Sequence, residues 1–450
     1  MIKILIGIII LSIMVFIHEA GHFIAAKLSG VIVETFSIGW GPVIFKKKIG
    51  TTEYRLSLIP MGGYCGMKGE QVFKEAIEQK LSVIPKEKGG LYSVHPFKRI
   101  VIAFAGPFAN YTTAVLAMSI VSAIGSTYYT APNRIAPVYY YDTTDSSPAR
   151  EAGLEMGDKI VSINGTKTET FADIVKLVVP EAETEITVQI ERNGKILTKK
   201  VTPKLDKATG AGVIGFYPYI PVELNGVMSS SAADIAGLKA GDKIIKLNNS
   251  EINNTKDLYF MLEKLEEKTA ELTIERNGEE LIKTISLIRT KDGIDLGITL
   301  KTIKVDVPGT GFFKSITNGF ALTHKTLVLT FKSLSLLFKG IDLKQAVSGP
   351  LRITHILGDV AEQGFKESFL TGISDLLNFI SLISISLFIM NLLPIPILDG
   401  GLILFAFLEF ILRKQINPRI LYYVQFIGIA FIGIVFLFAL WGDFWFFFGK

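Results

Sequence analysis

The sequence predicts a multi-domain membrane protein, in which a core of four membrane-spanning helices carries two inserted copies of a small α+β module. Three observations point there. The 450 residues are 49% hydrophobic and only 20% charged, and the mean hydropathy is +0.41; a water-facing surface does not absorb that surplus. Four apolar stretches approach the ~20 residues that a bilayer core requires. Between the second and third, a region of ordinary polarity repeats itself.

The first stretch, residues 4–28, is apolar except for His18, Glu19, His22 and Lys27. Lys3 before it allows a signal-peptide reading. No small-x-small cleavage pattern follows, however, and a signal peptide carries no such ionisable cluster. The other spans are expected at residues 100–125, 376–393 and 421–447, the last ending in an interfacial pair, Trp441 and Trp445. The spans frame five regions: 1–126 with the first two helices, 127–220 and 221–305 with the modules, 306–368, and 369–450 with the last two helices.

The polar region alternates like strands in Glu185–Glu191 and Glu271–Glu275, and turns at Asn193-Gly194 and Asn277-Gly278. Ser147-Pro-Ala-Arg-Glu-Ala-Gly-Leu-Glu-Met-Gly-Asp-Lys-Ile160 is echoed by Ser231-Ala-Ala-Asp-Ile-Ala-Gly-Leu-Lys-Ala-Gly-Asp-Lys-Ile244. Each copy continues through an Asn (Asn164, Asn248) to an Arg-Asn-Gly (Arg192, Arg276), which makes them two copies of one module. Phe312 to Gly340 is rich in Phe and Leu but broken by Lys314, His324, Lys325, Lys332 and Lys339. That pattern suits a helix lying on the membrane surface, with a fifth span as the competing reading.

Positive residues set the orientation. Lys46, Lys47, Lys48, Arg55, Lys98 and Arg99 lie between the first two spans, and Arg413, Lys414 and Arg419 between the last two. Both loops are expected on the cytoplasmic side, which puts the termini and modules outside. The net charge of +5 is too mild to argue for nucleic acid, and a single cysteine, Cys65, excludes a disulfide framework or a multi-cysteine metal site.

His18-Glu19-Ala-Gly-His22 fits the pattern H-E-x-x-H. Residues four apart share a helix face, so both imidazoles can reach one ion, with Glu19 beside them to take a proton from water. The pattern is common, but its position is costly: an acid at the centre of a span costs ~2.5–3.5 kcal/mol. A catalytic zinc needs a third protein ligand and an open position. The candidate is Asp399, in Asn391-Leu-Leu-Pro-Ile-Pro-Ile-Leu-Asp399-Gly-Gly401, where prolines break the helix at membrane depth. A plain loop leaving the membrane is the alternative. After the first span, Thr52–Ile59 alternates like a strand and ends in Pro60-Met-Gly-Gly63. It suggests a membrane-associated hairpin whose edge takes an extended peptide, with Leu56, Leu58, Gly62 and Gly63 as contacts; an ordinary cytoplasmic hairpin is the alternative.

Together, HEAGH in the first span and N-x-x-P-x-P-x-L-D-G-G in a late one resemble the site-2 proteases, and most closely their bacterial regulator-of-sigma-E type. The resemblance extends over Phe36–Pro42, Pro60–Tyr64, Gly106-Pro-Phe-Ala-Asn110 and Ser348-Gly-Pro350, and the two modules look like bacterial PDZ domains. It implies an intramembrane zinc endopeptidase of a bacterial inner membrane, with its PDZ modules on the periplasmic side. Zn2+ would be held by His18, His22 and Asp399, Glu19 would be general base and acid, and Asn391 and Asn110 would contact substrate. The expected partners are single-pass transmembrane proteins after a prior site-1 cut, of anti-sigma-factor or signal-peptide-remnant type, and the lipid bilayer. Two positions depart from the pattern: Leu402 stands where relatives often have His, and Ser386 where some have Asn. A PDZ-bearing receptor or scaffold leaves the intramembrane acid and histidines unexplained. A secreted zincin conflicts with the later spans, and a zinc transporter with the Asp-Gly-Gly break.

Overall fold

Helix α1 (Ile2–Leu28) opens the chain, an almost unbroken apolar run that nothing in its sequence interrupts. In the computed structural model, which describes residues 2–207, 210–290, 293–336 and 349–448, α1 packs against α2 (Pro96–Ile124). Pro96 suits the first turn of α2, where no N–H partner is lost, and His95 Nδ1 accepts from Phe97 N–H at 3.2 Å. The two helices cross closely at the HEAGH turn, because a Cβ at Gly21 would overlap the carbonyl of Ala105. α5 (Phe369–Leu392) lies on the other side of α2, with Ser381 Oγ donating to the carbonyl of Ala114. α7 (Pro418–Phe448) closes the bundle and leaves Ile427, Ile434 and Leu437 exposed. Among the described residues four helices are long and apolar enough to cross a membrane: Ile6–Leu28, Pro96–Ile124, Phe369–Leu392 and Pro418–Phe447.

The segment expected on the membrane surface is helical. Helix α3 (Phe312–Leu336) touches α2 through side chains. Asn318 Nδ2 donates to Ser122 Oγ at 3.0 Å, Gly319 abuts Ser119, and Phe320 meets Tyr111. Farther on, Leu327 and Leu334 join Ala114, Ile385 and Ile389. These contacts come from a stripe at every fourth position, Ser315, Gly319, Thr323 and Leu327, whose small members let neighbouring side chains approach. Residues 337–340 and Ser348 lie outside the described residues. α4 (Pro350–Glu367) follows, packed on α1 and α5. Its first turn is capped from another helix: Asp443 of α7 accepts from Gly349 N–H and Leu351 N–H, each at 2.9 Å.

A second helix after α5 was not anticipated. The chain breaks at Leu393–Leu398, around Pro394 and Pro396, and restarts as α6 (Asp399–Leu412). Asp399 is therefore the first residue of a helix, not the end of a span. Gly400 and Gly401 are required there, since a Cβ at either would overlap carbonyls of the preceding turn, at Leu392 and Leu393 or at Ile395.

Between α1 and α2 two long strands, β1 (Val33–Ile49) and β2 (Thr52–Met67), are joined by a two-residue turn in which Gly50 has φ of 60°. Each strand bends midway, so the sheet has four runs. Val43–Ile49 pairs with Thr52–Ser57; Val33–Ile38 lies next to that run and also pairs with Gly63–Met67. Trp40, Val43, Ile44, Phe45, Leu56, Leu58 and Ile59 are exposed on the hairpin, an apolar surface suited to lipid.

The chain from Thr127 to Asp306 forms its own unit. Both modules repeat one plan: a four-stranded sheet ordered Thr166–Lys167, Lys159–Ile163, Ile186–Arg192, Lys195–Val201 in the first, and Ser250–Glu251, Lys243–Leu247, Thr269–Arg276, Glu279–Ser286 in the second. Helices Phe171–Val178 and Thr255–Lys264 each begin with a capping box, at Thr170/Asp173 and Asn254/Asp257. The repeated motifs meet in space. Arg192 bonds Asp158 (Nη2 to Oδ2, 2.7 Å) and Arg276 bonds Asp242 (Nε to Oδ1, 2.6 Å). Asn164 and Asn248 each accept a strand N–H at 2.8 Å, from Thr187 and Glu271.

Candidate active site

α1 places His18 and His22 one turn apart, and the start of α6 brings Asp399 to them. His18 Nε2 lies 3.2 Å from Asp399 Oδ2, His22 Nε2 lies 3.3 Å from Asp399 Oδ1, and the two Nε2 atoms are 3.2 Å apart. Both histidines are buried. One ligand atom from each of the three residues lies within 4.8 Å of the other two, close enough for all three to reach one ion. Asp399 Oδ2 is buried and has no hydrogen-bond partner among the described residues despite its 3.2 Å approach to His18, which leaves it open to a metal. The donor set, two imidazole nitrogens and a carboxylate, suits zinc.

The surroundings shape this cluster. Gly106 of α2 is where a Cβ would overlap His22, so only glycine leaves room for the ring. Two groups of α2 reach the outer ring nitrogens: the Ile102 carbonyl is 2.8 Å from His22 Nδ1, and Asn110 Nδ2 is 3.0 Å from His18 Nδ1. Glu19 points towards β2, where a Cβ at Gly63 would sit 3.4 Å from its Cγ. Burial pushes the Cys65 thiol up to about 12.

A cavity of about 390 Å³ opens over the cluster, lined by His18, Glu19, His22, Asp399, Asn391 and the strand residues Tyr64, Cys65 and Met67, and reaching Arg99 and Glu409. Asn391, in the last turn of α5, thus faces the same space as the ligands. Asn110 does not: it is fully buried behind His18 and away from the cavity wall. Leu402, at the position where relatives often have His, lines the cavity, whereas Ser386 is outside it and bonds back to the Leu382 carbonyl at 2.9 Å.

The strand expected to take a peptide needs correcting. Leu56 pairs with both Phe45 and Ile38, so its run is interior and has no free edge. Leu58 is exposed and is not part of the cavity wall. The run beside the cavity is Gly63–Met67, paired on one side only among the described residues, with Cys65 opposite Phe36. Gly63 begins that run, and its bare Cα approaches Glu19: a Cβ there would sit 3.4 Å from Glu19 Cγ. Gly62 serves the bend, with φ of 94° and no room for a Cβ beside the Trp40 ring. Residue alternation reveals a strand but not its neighbours, which is why the wrong half was favoured.

Sequence reasoning did not single out the Arg99–Glu409 ion pair as part of the cavity; both side chains are largely buried, at 11% and 2% exposure. The signal was present in principle, as one base and one acid at the ends of two apolar stretches.

Comparison with known proteins agrees with this geometry. The family model for peptidase family M50 matches residues 6–435. A chain of Treponema pallidum named as a zinc metalloprotease is 50% identical over 444 residues, covering 98% of this chain and 99% of the relative. The Regulator of sigma E protease of Haemophilus influenzae is 30% identical over 458 residues, covering 97% of each. The Regulator of sigma-E protease RseP of Escherichia coli is 29% identical over 460 residues, again covering 97% of each. The chain therefore belongs to peptidase family M50 and is a zinc metalloprotease.

Proposed function

We propose that the chain cuts the transmembrane segments of single-pass membrane proteins, in regulated proteolysis of the site-2 type, after a first cut outside the membrane. The observation that carries the reading is the placement of the ligand cluster: it lies among apolar helices, on a cavity that one free strand edge borders. A transmembrane helix hides its carbonyls in its own hydrogen bonds, so it must unwind to be cut. The edge Gly63–Met67 offers backbone groups to the unwound strand, and Asn391 a side-chain amide.

His18, His22 and Asp399 would hold the zinc, which supplies Lewis-acid polarisation of the scissile carbonyl and acidifies water. Glu19 would take the proton of the attacking water and give it to the leaving amine. It lies against Gly63 at the strand edge, which sets the base beside the bound backbone. The cytoplasmic side is assigned to the loops with Lys46–Lys48 and Arg413–Lys414, which leaves the two modules periplasmic, on a bacterial inner membrane. The modules are read as PDZ domains that exclude substrates still carrying bulky outer domains. A PDZ domain from Listeria monocytogenes covers 19% of this chain at 21% identity and a TM-score of 0.17, so the reading rests on the repeat itself. The names of the two sigma-E relatives make an anti-sigma factor the first substrate class to try, with signal-peptide remnants second.

The test is cleavage of a model transmembrane substrate by the purified wild type and Glu19→Gln, with zinc measured in both. The reading expects zinc retained and cleavage lost; equal cleavage rejects it. Removing both modules should turn uncut precursors into substrates, whereas loss of all cleavage would favour obligatory capture of a new C-terminus.

A further inference from the structure

Each metal-binding histidine has two ring nitrogens, and only one can carry the hydrogen of the neutral ring while the other gives its lone pair to a metal. For both His18 and His22 the nitrogen facing Asp399 is Nε2. Their Nδ1 atoms must therefore carry the hydrogen and meet acceptors. His22 has one: a carbonyl only accepts, and Ile102 O lies 2.8 Å from His22 Nδ1. His18 instead faces the side-chain amide of Asn110, with Nδ2 placed 3.0 Å from Nδ1. In that orientation two donors would point at each other once the ring is turned to serve a metal. Rotating the amide by half a turn exchanges nitrogen and oxygen without changing its shape. The far end of the amide has no hydrogen-bond partner among the described residues, so the ring decides the orientation.

We propose that Asn110 is the positioning residue of the metal centre: its Oδ1 accepts from His18 Nδ1–H and so fixes the tautomer in which Nε2 faces the metal. The inference rests on the metalloprotease reading of the site. A fully buried amide with one unpartnered end is costly to keep in an apolar bundle, and this role gives it a reason. It also makes one unit of Gly106 and Asn110, one turn apart on α2. The glycine leaves space for the His22 ring, and the amide orients the His18 ring. An orienting acceptor behind a metal-bound histidine typically changes metal affinity 10- to 100-fold, or about that.

Two measurements test this on the full-length chain in detergent or nanodiscs. The first is ring-nitrogen NMR of zinc-loaded wild type labelled at histidine; with five histidines in the chain, assignment by substitution is direct. Hydrogen on Nδ1 of both His18 and His22 is expected, and hydrogen on Nε2 of His18 overturns the proposal. The second is zinc affinity by competition with a chromogenic chelator. Asn110→Asp keeps an acceptor and should bind zinc within a few-fold of wild type, whereas Asn110→Leu, of similar size, should bind roughly 10- to 100-fold more weakly. Equal affinities in all three, or equal losses in both variants, overturn it. If wild type itself binds no zinc, the metalloprotease reading fails instead.

Discussion

Arg99, in the first turns of α2, forms an ion pair with Glu409 near the end of α6, and the pair stands in the wall between two cavities. Both residues, with Tyr92, line the cavity over the metal ligands and a second, basic cavity bounded by Lys86, His95, Arg413 and Lys414. Glu409 also accepts from Ile416 N–H at 2.9 Å, fixing the turn into α7, and the Arg99 guanidinium lies over the Tyr92 ring. Removing one partner leaves the other charge buried and unpaired. Glu409→Ala should therefore destabilise the fold by about 3–5 kcal/mol. The double variant Arg99→Met/Glu409→Leu should recover most of that loss. Unfolding of the detergent-solubilised chain by a denaturant series would measure both; equal stability of Glu409→Ala and wild type would show that the pair contributes nothing.

Gly106 is expected to matter through space alone. A methyl group there overlaps His22 and must push its ring away from Asp399. Gly106→Ala should keep the helices, since alanine favours them, yet weaken zinc binding by roughly 10–100-fold. Circular dichroism with zinc competition would separate the two effects; unchanged affinity would mean that the ring has slack which its packing does not suggest.

The edge Gly63–Met67 predicts a substrate-side effect. Replacing with an ester the substrate amide that pairs with this edge removes one donor and leaves the enzyme untouched. One hydrogen bond is worth about 1 kcal/mol, so kcat/KM should fall roughly 5-fold for an ester at a pairing position and stay level at its neighbours. A flat scan across the segment would argue against strand addition.

The second module should be acid-sensitive at Asp242. Burial alone would raise this carboxyl, but hydrogen bonds from the Arg276 guanidinium and the Lys239 N–H outweigh it and hold it below the usual range. A carboxylate whose pKa is lower folded than unfolded adds stability above its unfolded pKa, about 3.9, and that stability fades as pH falls through the folded value. The protection of Lys243–Arg276 against hydrogen exchange, taken relative to the intrinsic rate at each pH, should fall below about pH 4, and Asp242→Asn should be less stable at neutral pH and lose the dependence. Protection factors that do not change with pH would contradict it.

What was legible in the sequence follows from cost. Two histidines and an acid within an apolar span are too unfavourable to be idle, and the helix break before Asp399 marked the third ligand. The module repeat was legible because Asp158, Arg192 and their counterparts recur at fixed offsets. The misreadings share one physical cause: neighbours are not written in periodicity. Alternation over Thr52–Ile59 named a strand, but only pairing on both sides of Leu56 shows it to be interior. Asn110 was expected to touch substrate, and its distance to His18 gives it a different place.

The central claim is that residues from the two ends of the sequence meet at one zinc. X-ray absorption at the zinc edge of the purified chain tests it directly, with Asp399→Ala measured alongside. The account predicts about one zinc per chain, a nitrogen and oxygen shell at ~2.0–2.1 Å, imidazole scattering from two histidines, and a spectrum altered or lost in the variant. A sulfur shell, or an identical spectrum at full occupancy in Asp399→Ala, would contradict it.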